Sequence, residues 1–209
     1  MDDLKIKAHY QGLFEKEGVS PKSIQWPDRG SQIKRFKILT GIDRDLQSVL
    51  DVGCGLGDLG VFLRENEFTG DYVGADIVPE FIDFADKKFA GDDKSTFRLL
   101  EPNVADLPTG CDHSIVSGLF NNYRSDSSAF MKRLLGEIFE VSNRGMAFNA
   151  LSTYVDYKES HLSYADPMEV FDFCKRTLGG FPVLKHDYLL KKGGYPYEFT
   201  IFLYKKPGL

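Results

Sequence analysis

The sequence predicts an α/β protein with a mostly parallel sheet, helices on both faces and an antiparallel end. From Ser48 onward, short β-branched and apolar runs alternate with helical patterns, which is typical of a parallel sheet. A glycine-rich turn over residues 53–60 joins the first strand to the first of these helices. The last two strand-like runs, 181–190 and 197–204, are joined by Lys191-Lys192-Gly193-Gly194, which favours a hairpin.

The composition predicts one globular domain in a reducing compartment. The chain has 209 residues, 42% of them hydrophobic, which is enough for one core. Its formal net charge is -5 and it has no Lys/Arg block, so we do not expect a nucleic-acid partner. Cys54, Cys111 and Cys174 lie far apart without a C-x-x-C pair, which predicts reduced thiols, no metal site and a cytoplasmic protein. We also expect no signal peptide and no membrane span, and the sequence does not indicate an oligomeric state.

Two helices are predicted before the first strand. Residues 2–16 have a loose apolar side and form the first helix. Ser31 is the expected N-cap of the second, which runs to about residue 39. We therefore divide the single domain into an N-terminal helical segment, residues 1–45, and an α/β core, residues 46–209.

The elements of the core follow in alternating order. Five strands precede the hairpin and bring the predicted total to seven: 48–52, 71–76, 96–100, 112–117 and 145–151. Four helices lie between or after them: 58–66, 79–89, 126–141 and 167–178. A proline in the first turn supports the start of the second and fourth of these helices.

The glycine turn fits two kinds of nucleotide site. Residues 55–60 match G-x-G-x-x-G, the dinucleotide fingerprint, which indicates an NAD(P)-dependent oxidoreductase. In that fingerprint the first glycine follows the strand directly, whereas Gly53 and Cys54 intervene here. Asp51 lies inside the strand end, where a carboxylate would repel a pyrophosphate but would suit an ammonium group. The charges favour a nucleoside that carries an amino acid.

Asp51-Val52-Gly53-Cys54-Gly55-Leu56-Gly57 resembles motif I of the class I S-adenosylmethionine-dependent methyltransferases, a hydrophobic strand followed by D-x-G-x-G-x-G. Residues 72–77 are similar to that family's second strand, which ends in an acid about 20 residues past the glycines. Residues 97–108 and 113–121 resemble the third and fourth strands with their loops. The resemblance covers the chain from Ser48 to the C-terminus and implies the Rossmann-like methyltransferase fold, with the N-terminal helices as a lid over the cofactor.

The resemblance also implies S-adenosyl-L-methionine as the cofactor and assigns residues to it. Asp51 would face the methionyl ammonium, and Asp76 would accept hydrogen bonds from both ribose hydroxyls. From its place on the second helix, and not from the resemblance, we expect Arg35 to pair with the methionyl carboxylate. Glu101 competes with Asn103 for the polar edge of adenine, because Pro102 makes the alignment of this loop ambiguous. The remaining cofactor candidates are Gly53, Cys54, Gly55, Gly57, Ile77, Val104, Ser117, Gly118 and Leu119.

Methyl transfer is an in-line displacement, so the enzyme mainly aligns the nucleophile with the methyl carbon. A base is needed only for a hydroxyl or a protonated amine, and His161 is the best candidate because imidazole titrates near neutral pH. The further candidates are Asp156 and Tyr123 for catalysis, and Tyr10, Trp26, Asn121 and Tyr154 for substrate binding. A short chain with one small lid predicts a small-molecule acceptor. The oxidoreductase and a non-catalytic module that only binds S-adenosylmethionine remain the alternatives.

Overall fold

The computed structural model describes residues 3–20, 28–101 and 106–207. Three of the predicted site residues, Trp26, Asn103 and Val104, lie outside these ranges. Within the ranges, every helix is too short or too polar to cross a membrane.

Two helices precede the sheet: α1, Asp3–Glu17, and α2, Arg29–Leu39. A 3₁₀ turn over Thr40–Ile42 extends the second helix. The N-cap of α2 is Asp28, whose carboxylate accepts the N–H of Ser31 at 2.7 Å. The prediction that Ser31 is the N-cap is therefore wrong. Asp28 satisfies an unpaired N–H of the first turn, and its negative charge suits the positive end of the helix.

One sheet contains all the strands of the described residues. They are β1, Ser48–Val52; β2, Asp71–Asp76; β3, Ser95–Leu99; β4, His113–Val116; β5, Gly145–Ser152; β6, Tyr164–Ala165; β7, Phe181–Lys185; and β8, Glu198–Tyr204. Seven strands lie in the order β3-β2-β1-β4-β5-β8-β7, with β1 to β5 parallel and β8 antiparallel to both β5 and β7. The two-residue β6 pairs with the end of β5 and was not predicted. The predicted fold class is confirmed.

Helices cover both faces of the sheet. They are α3, Asp58–Glu65; α4, Pro79–Lys88; α5, Ser127–Val141; and α6, Pro167–Asp172, which continues as a π turn, Phe173–Thr177. Leu39 and Phe62 share one core cluster with Ile115, whereas Leu135 and Phe148 belong to a second cluster. These two clusters put α2 and α3 on one face of the sheet and α5 on the other. The last predicted helix is α-helical only to Asp172.

The order of the strands reverses at β1, which pairs with β2 on one side and β4 on the other. Such a reversal opens a crevice at the carboxyl ends of the strands, where α/β proteins bind ligands. Because β8 runs antiparallel, its first residue, Glu198, lies at this same edge, opposite Leu151 of β5. The turns after β1, β2 and β4 and the start of β8 therefore surround one site.

Candidate functional site

A cavity of about 480 Å³ occupies the crevice, a size typical of small-ligand sites. Its walls come from α1 and α2, from the turns after β1, β2 and β4, and from α5. The sequence-predicted residues that line it are Tyr10, Arg35, Asp51, Gly53, Cys54, Gly55, Asp76, Ile77, Ser117, Gly118, Leu119, Asn121 and His161. Glu101 also lines it. The structure thus brings residues from distant parts of the chain to one place.

The glycine turn folds back onto the end of β2. The N–H groups of Gly53 and Cys54 both donate to the carbonyl oxygen of Ala75, at 2.8 and 3.1 Å. Gly53 has a φ of +79°, and a Cβ there would lie 2.7 Å from Cδ1 of Leu119. The left-handed φ favours glycine, and a Cβ would also require the Leu119 side chain to shift. Gly57 is the N-cap of α3 and does not line the cavity.

Asp76 ends β2 with its carboxylate fixed by the backbone. Its Oδ2 accepts the N–H of Gly55 at 2.9 Å and its Oδ1 accepts the N–H of Val78 at 3.0 Å. The residue is only 9% exposed, and this burial raises the pKa of Asp76, while the backbone N–H groups lower it. A carboxylate has four lone pairs, so the backbone N–H groups leave the group able to accept further hydrogen bonding.

Asp51 lies one residue before the end of β1 and is 2% exposed. The hydroxyl of Tyr72 donates to its Oδ2 at 2.6 Å. Burial raises the pKa of Asp51 to about 7; the Tyr72 hydrogen bond lowers it, and the charges of Asp76 and Asp58 raise it. Lys88 offsets the charge of Asp58 through a 3.0 Å ion pair. The wall formed by Asp51 and Asp76 therefore favours a cationic ligand.

A buried polar network lies along the other side of the cavity. Nε of Arg35 donates to both carboxylate oxygens of Glu198, at 2.8 and 3.1 Å. Glu198 accepts from Nδ2 of Asn149 at 2.8 Å, and Oδ1 of Asn149 accepts the N–H of Gly118 at 2.7 Å. The network connects α2 to β8, β5 and the turn after β4. The pairing of Arg35 with a ligand carboxylate stays a prediction. Within the protein, Glu198 is one of the partners of Arg35.

The sequence analysis missed Glu198 and Asn149. Asn149 lies inside the apolar strand β5, in Ala147-Phe148-Asn149-Ala150, and Glu198 begins the mostly apolar strand β8, in Glu198-Phe199-Thr200-Ile201. A buried polar residue requires a hydrogen-bond partner, so each was a signal that something polar lies beside the strand.

Two loops, the one after β4 and the one that contains His161, are held together at one side of the cavity. Tyr123 donates its N–H to the carbonyl oxygen of His161 at 3.1 Å, and Ser163 donates its N–H to the carbonyl oxygen of Asn121 at 2.8 Å. These backbone contacts fix His161 beside Asn121, and both side chains line the cavity. His161 itself is exposed, so it lies at the rim rather than in the interior.

Helix α1 reaches across the cavity to the same loop. The hydroxyl of Tyr10 accepts from Nδ2 of Asn122 at 2.7 Å, and Asn122 also lines the cavity. Burial raises the pKa of Tyr10 to about 12, so the phenol is neutral at physiological pH. Tyr10 therefore contributes a neutral, partly apolar surface to the wall.

Three of the predicted catalytic and substrate residues lie away from the cavity wall. Tyr123 and Tyr154 are each more than half exposed, and Asp156 is exposed as well. None of the three lines the cavity. Their catalytic and substrate roles stay predictions, and among the catalytic candidates the geometry favours His161.

Two buried polar atoms at the cavity lack a hydrogen-bond partner within the described ranges: Oγ of Ser117 and Oδ1 of Asn121. Buried polar groups are nearly always hydrogen-bonded, so such atoms beside a cavity point to a missing polar partner. Together with the carboxylates of Asp51 and Asp76, they fit a ligand that is cationic and carries hydroxyl or amine groups.

A parallel sheet that reverses at β1, with a glycine turn after β1 and an acid at the end of β2, defines an α/β protein with a nucleoside-type site. Residues 43–175 match a family described as a methyltransferase domain. Rv1506c from Mycobacterium tuberculosis, whose own assignment as a methyltransferase is provisional, is 35% identical over 164 residues. The match covers 76% of this chain and 93% of that protein. The chain belongs to the methyltransferase domain family.

Solved structures support the fold. Magnesium protoporphyrin IX methyltransferase from Synechocystis PCC 6803, with bound S-adenosylhomocysteine, superposes with a TM-score of 0.69 at 12% identity, covering 98% of this chain and 96% of that one. The plantazolicin methyltransferase BpumL, in complex with a desmethyl-plantazolicin analogue and S-adenosylhomocysteine, gives a TM-score of 0.64 at 15% identity and 98% coverage of both chains. At these identities the likeness shows the fold.

Proposed function

We propose that this protein is an S-adenosylmethionine-dependent methyltransferase that methylates a small molecule by in-line displacement. The observation that carries the proposal is the pair of buried carboxylates, Asp51 and Asp76, on neighbouring strands with the glycine turn between them. A dinucleotide site would place a pyrophosphate beside Asp51, which is unfavourable, whereas an acid in the position of Asp76 suits the ribose of either ligand. The S-adenosylhomocysteine bound in the two structural neighbours supports the same ligand.

The residues of the cavity fit the parts of this cofactor. Asp76 would accept the ribose hydroxyls with its remaining lone pairs, and Asp51 would meet the methionyl ammonium. Ile77 would pack on adenine, with Glu101 as the candidate for its amino group. The turn from Ser117 to Leu119 would lie beneath the sulfonium. Arg35, which lines the cavity while binding Glu198, is our candidate for the methionyl carboxylate.

When bound, the cofactor supplies an activated methyl group, and this chain's residues orient the acceptor and limit the entry of water. The neutral phenol of Tyr10 and the side chain of Asn121 line the acceptor end. His161, at the rim, would take the proton of a hydroxyl or amine acceptor. Because in-line transfer depends mainly on alignment, we expect this base to contribute less than the positioning residues.

A small-molecule acceptor is supported by the size of the cavity. Helix α1 contributes Ile6 and Tyr10 to the wall and is joined to the loop after β4 by the Tyr10–Asn122 hydrogen bond, and the resulting volume of about 480 Å³ suits a compact compound. All three cysteines are buried and free, which is consistent with a cytoplasmic location.

Substitution of Asp76 by alanine tests the cofactor site. We expect S-adenosylhomocysteine to bind at least about tenfold more weakly, because hydroxyl groups would lose a charged acceptor worth ~1.5–3 kcal/mol. Isothermal titration calorimetry measures the dissociation constant. The matched control is Asp71→Ala, at the exposed opposite end of the same strand, which should leave binding unchanged.

Two results would count against the proposal. Unchanged affinity in Asp76→Ala would remove the cofactor assignment, and binding of NADH instead of S-adenosylhomocysteine by the wild-type protein would favour the oxidoreductase. Methyl-labelled S-adenosylmethionine, incubated with the protein and a fractionated cell extract, separates an enzyme from a binding module. A labelled product, identified by mass spectrometry, would also give the acceptor.

A further inference from the structure

Tyr72 in β2 is a buried tyrosine that does not line the cavity itself, but its hydroxyl contacts Asp51, which does. Its side chain is 0% exposed and its hydroxyl donates to Oδ2 of Asp51 at 2.6 Å. The backbone N–H of Gly60 faces the same hydroxyl oxygen. A phenol has one proton to donate. Because Gly60 is a donor, that proton is directed to Asp51.

The packing around Tyr72 fixes where its hydroxyl lies. Its ring stacks on Phe89 at 6.2 Å between centroids and meets the edge of Phe97 at 5.8 Å. A Cβ at Gly60 would lie 2.9 Å from Cε1 of the ring, so α3 approaches this closely only because residue 60 has no side chain. The position of the hydroxyl, and with it one oxygen of Asp51, is determined by the core.

The surroundings of Asp51 otherwise oppose its negative charge. Burial is the largest effect, and the charges of Asp76 on β2 and Asp58 on α3 add to it. The thiol of Cys54 faces the same group from the glycine turn, and burial raises its pKa well above its usual value, so it brings no charge. Among the groups that face Asp51, the Tyr72 hydroxyl favours the ionised form.

We propose that Tyr72 is a positioning residue for the amino-acid end of the ligand: it holds one oxygen of the ionised Asp51 carboxylate and leaves the other for an ammonium group. This inference rests on the proposed function, since it names the part of the ligand that Asp51 receives. Tyr72 does not touch the ligand, and it acts through Asp51 alone.

The variant Tyr72→Phe keeps the ring and removes the hydroxyl. We expect S-adenosylhomocysteine to bind about tenfold more weakly, because a hydrogen bond to a charged group is lost. Methylthioadenosine, a nucleoside without the amino-acid part, should bind to the variant as it binds to the wild type. Tyr204→Phe is the matched control, since its hydroxyl donates to the carbonyl oxygen of Ile42 and does not line the cavity.

The pH dependence of binding gives a readout that a purely structural role would not change. In the wild type, affinity for S-adenosylhomocysteine should increase as pH rises through about 7, because Asp51 becomes ionised there. In Tyr72→Phe the midpoint of this increase should move to higher pH. Methylthioadenosine should show no such increase in either protein.

A double-mutant cycle with Asp51→Asn completes the test. If Tyr72 acts through the Asp51 carboxylate, then adding Tyr72→Phe to Asp51→Asn should not weaken binding further. Additive losses would overturn the inference, as would equal losses for both ligands or a Tyr72→Phe variant with unchanged affinity and midpoint. If the wild-type protein binds neither ligand, the proposed function itself fails, which is a separate outcome.

Discussion

The negative charge of the Asp51 carboxylate contributes little to the stability of the folded protein when no ligand is bound. It is buried, close to Asp58 and Asp76, and its pKa is raised to about 7. Binding residues commonly reduce stability in this way, because a site that fits a cation is unfavourable when no cation is present. At the scale of a single residue, stability and binding should therefore respond in opposite directions to the loss of this charge.

We expect Asp51→Asn to stabilise the ligand-free protein, and to do so more at pH 8 than at pH 5. The unfolded carboxyl ionises near its ordinary pKa of 3.8, whereas the folded one ionises near 7. Between these values the folded state holds more protons, so its stability falls as pH rises through this window and levels off above it. The neutral asparagine avoids this loss. The gain at pH 8 should raise the melting temperature by about 4 °C or more.

Urea unfolding at the two pH values measures the effect. Asp93→Asn serves as control because Asp93 is exposed, so its stability difference should be within about 0.5 kcal/mol at both pH values. Equal destabilisation by Asp51→Asn at pH 5 and pH 8 would contradict the account. It would mean that the hydrogen bonds accepted by the Asp51 side chain stabilise the fold by more than its buried charge destabilises it.

At the scale of elements, the Glu198 network joins four parts of the chain that are not neighbours in sequence. Arg35 comes from α2, Glu198 from the start of β8, Asn149 from β5, and Gly118 from the turn after β4. Tyr188 adds a further hydrogen bond to Glu198 at 3.2 Å. The network therefore fixes α2 and the turn under the proposed sulfonium position relative to each other. Loss of one member should affect both elements.

Glu198→Ala should lower the free energy of unfolding by ~3–5 kcal/mol, because Arg35 would become a buried charge without its carboxylate. Replacing both residues with apolar ones, Arg35→Met and Glu198→Leu, should restore most of the loss, since no buried charge remains. The matched control is Lys94→Ala. It breaks the exposed pair with Asp71 and should change stability by less than about 1 kcal/mol in urea unfolding.

The sequence predicts β1, its glycine turn and β2 well, because their signals are local. A β-branched run, a turn that needs left-handed glycine and an acid at the strand end are all read within a few residues of each other. The same locality explains the errors in α6 and β6. The helix changes to a π turn at Phe173 within an unbroken apolar pattern, and Tyr164–Ala165 forms a strand only because β5 lies beside it.

A site residue can be predicted from the sequence when its immediate neighbours indicate its position. It cannot be predicted in this way when its role depends on pairing with a residue far away in the chain. Asp51 and Asp76 are predicted as site residues because each lies at or next to the end of a mostly apolar strand. Arg35 and Glu198 are 163 positions apart, and their pairing depends on β8 running antiparallel beside β5. Tyr72 is hidden for another reason, because an aromatic residue inside an apolar strand fits ordinary core packing until its hydroxyl is located.

At the scale of the whole molecule, α1 forms part of the cavity wall although it lies outside the sheet. It contributes Ile6 and Tyr10 to the wall and is held on two sides. Tyr10 binds the loop after β4, while Phe14 packs edge-on against Phe81 of α4 at 5.6 Å. A ligand that contacts this helix should therefore stabilise it in place.

We expect S-adenosylhomocysteine to protect α1 from trypsin. Lys5 and Lys16 are exposed on this helix, but cleavage within a helix needs local unfolding, and a ligand that contacts Ile6 and Tyr10 opposes that unfolding. Peptide mass spectrometry over a time course should show cleavage at these two lysines slowed by saturating ligand. Cleavage at the exposed Lys191, which does not line the cavity, should keep its rate and serves as the internal control. Equal rates at Lys5 and Lys16 with and without ligand would show that α1 does not contact what the cavity binds.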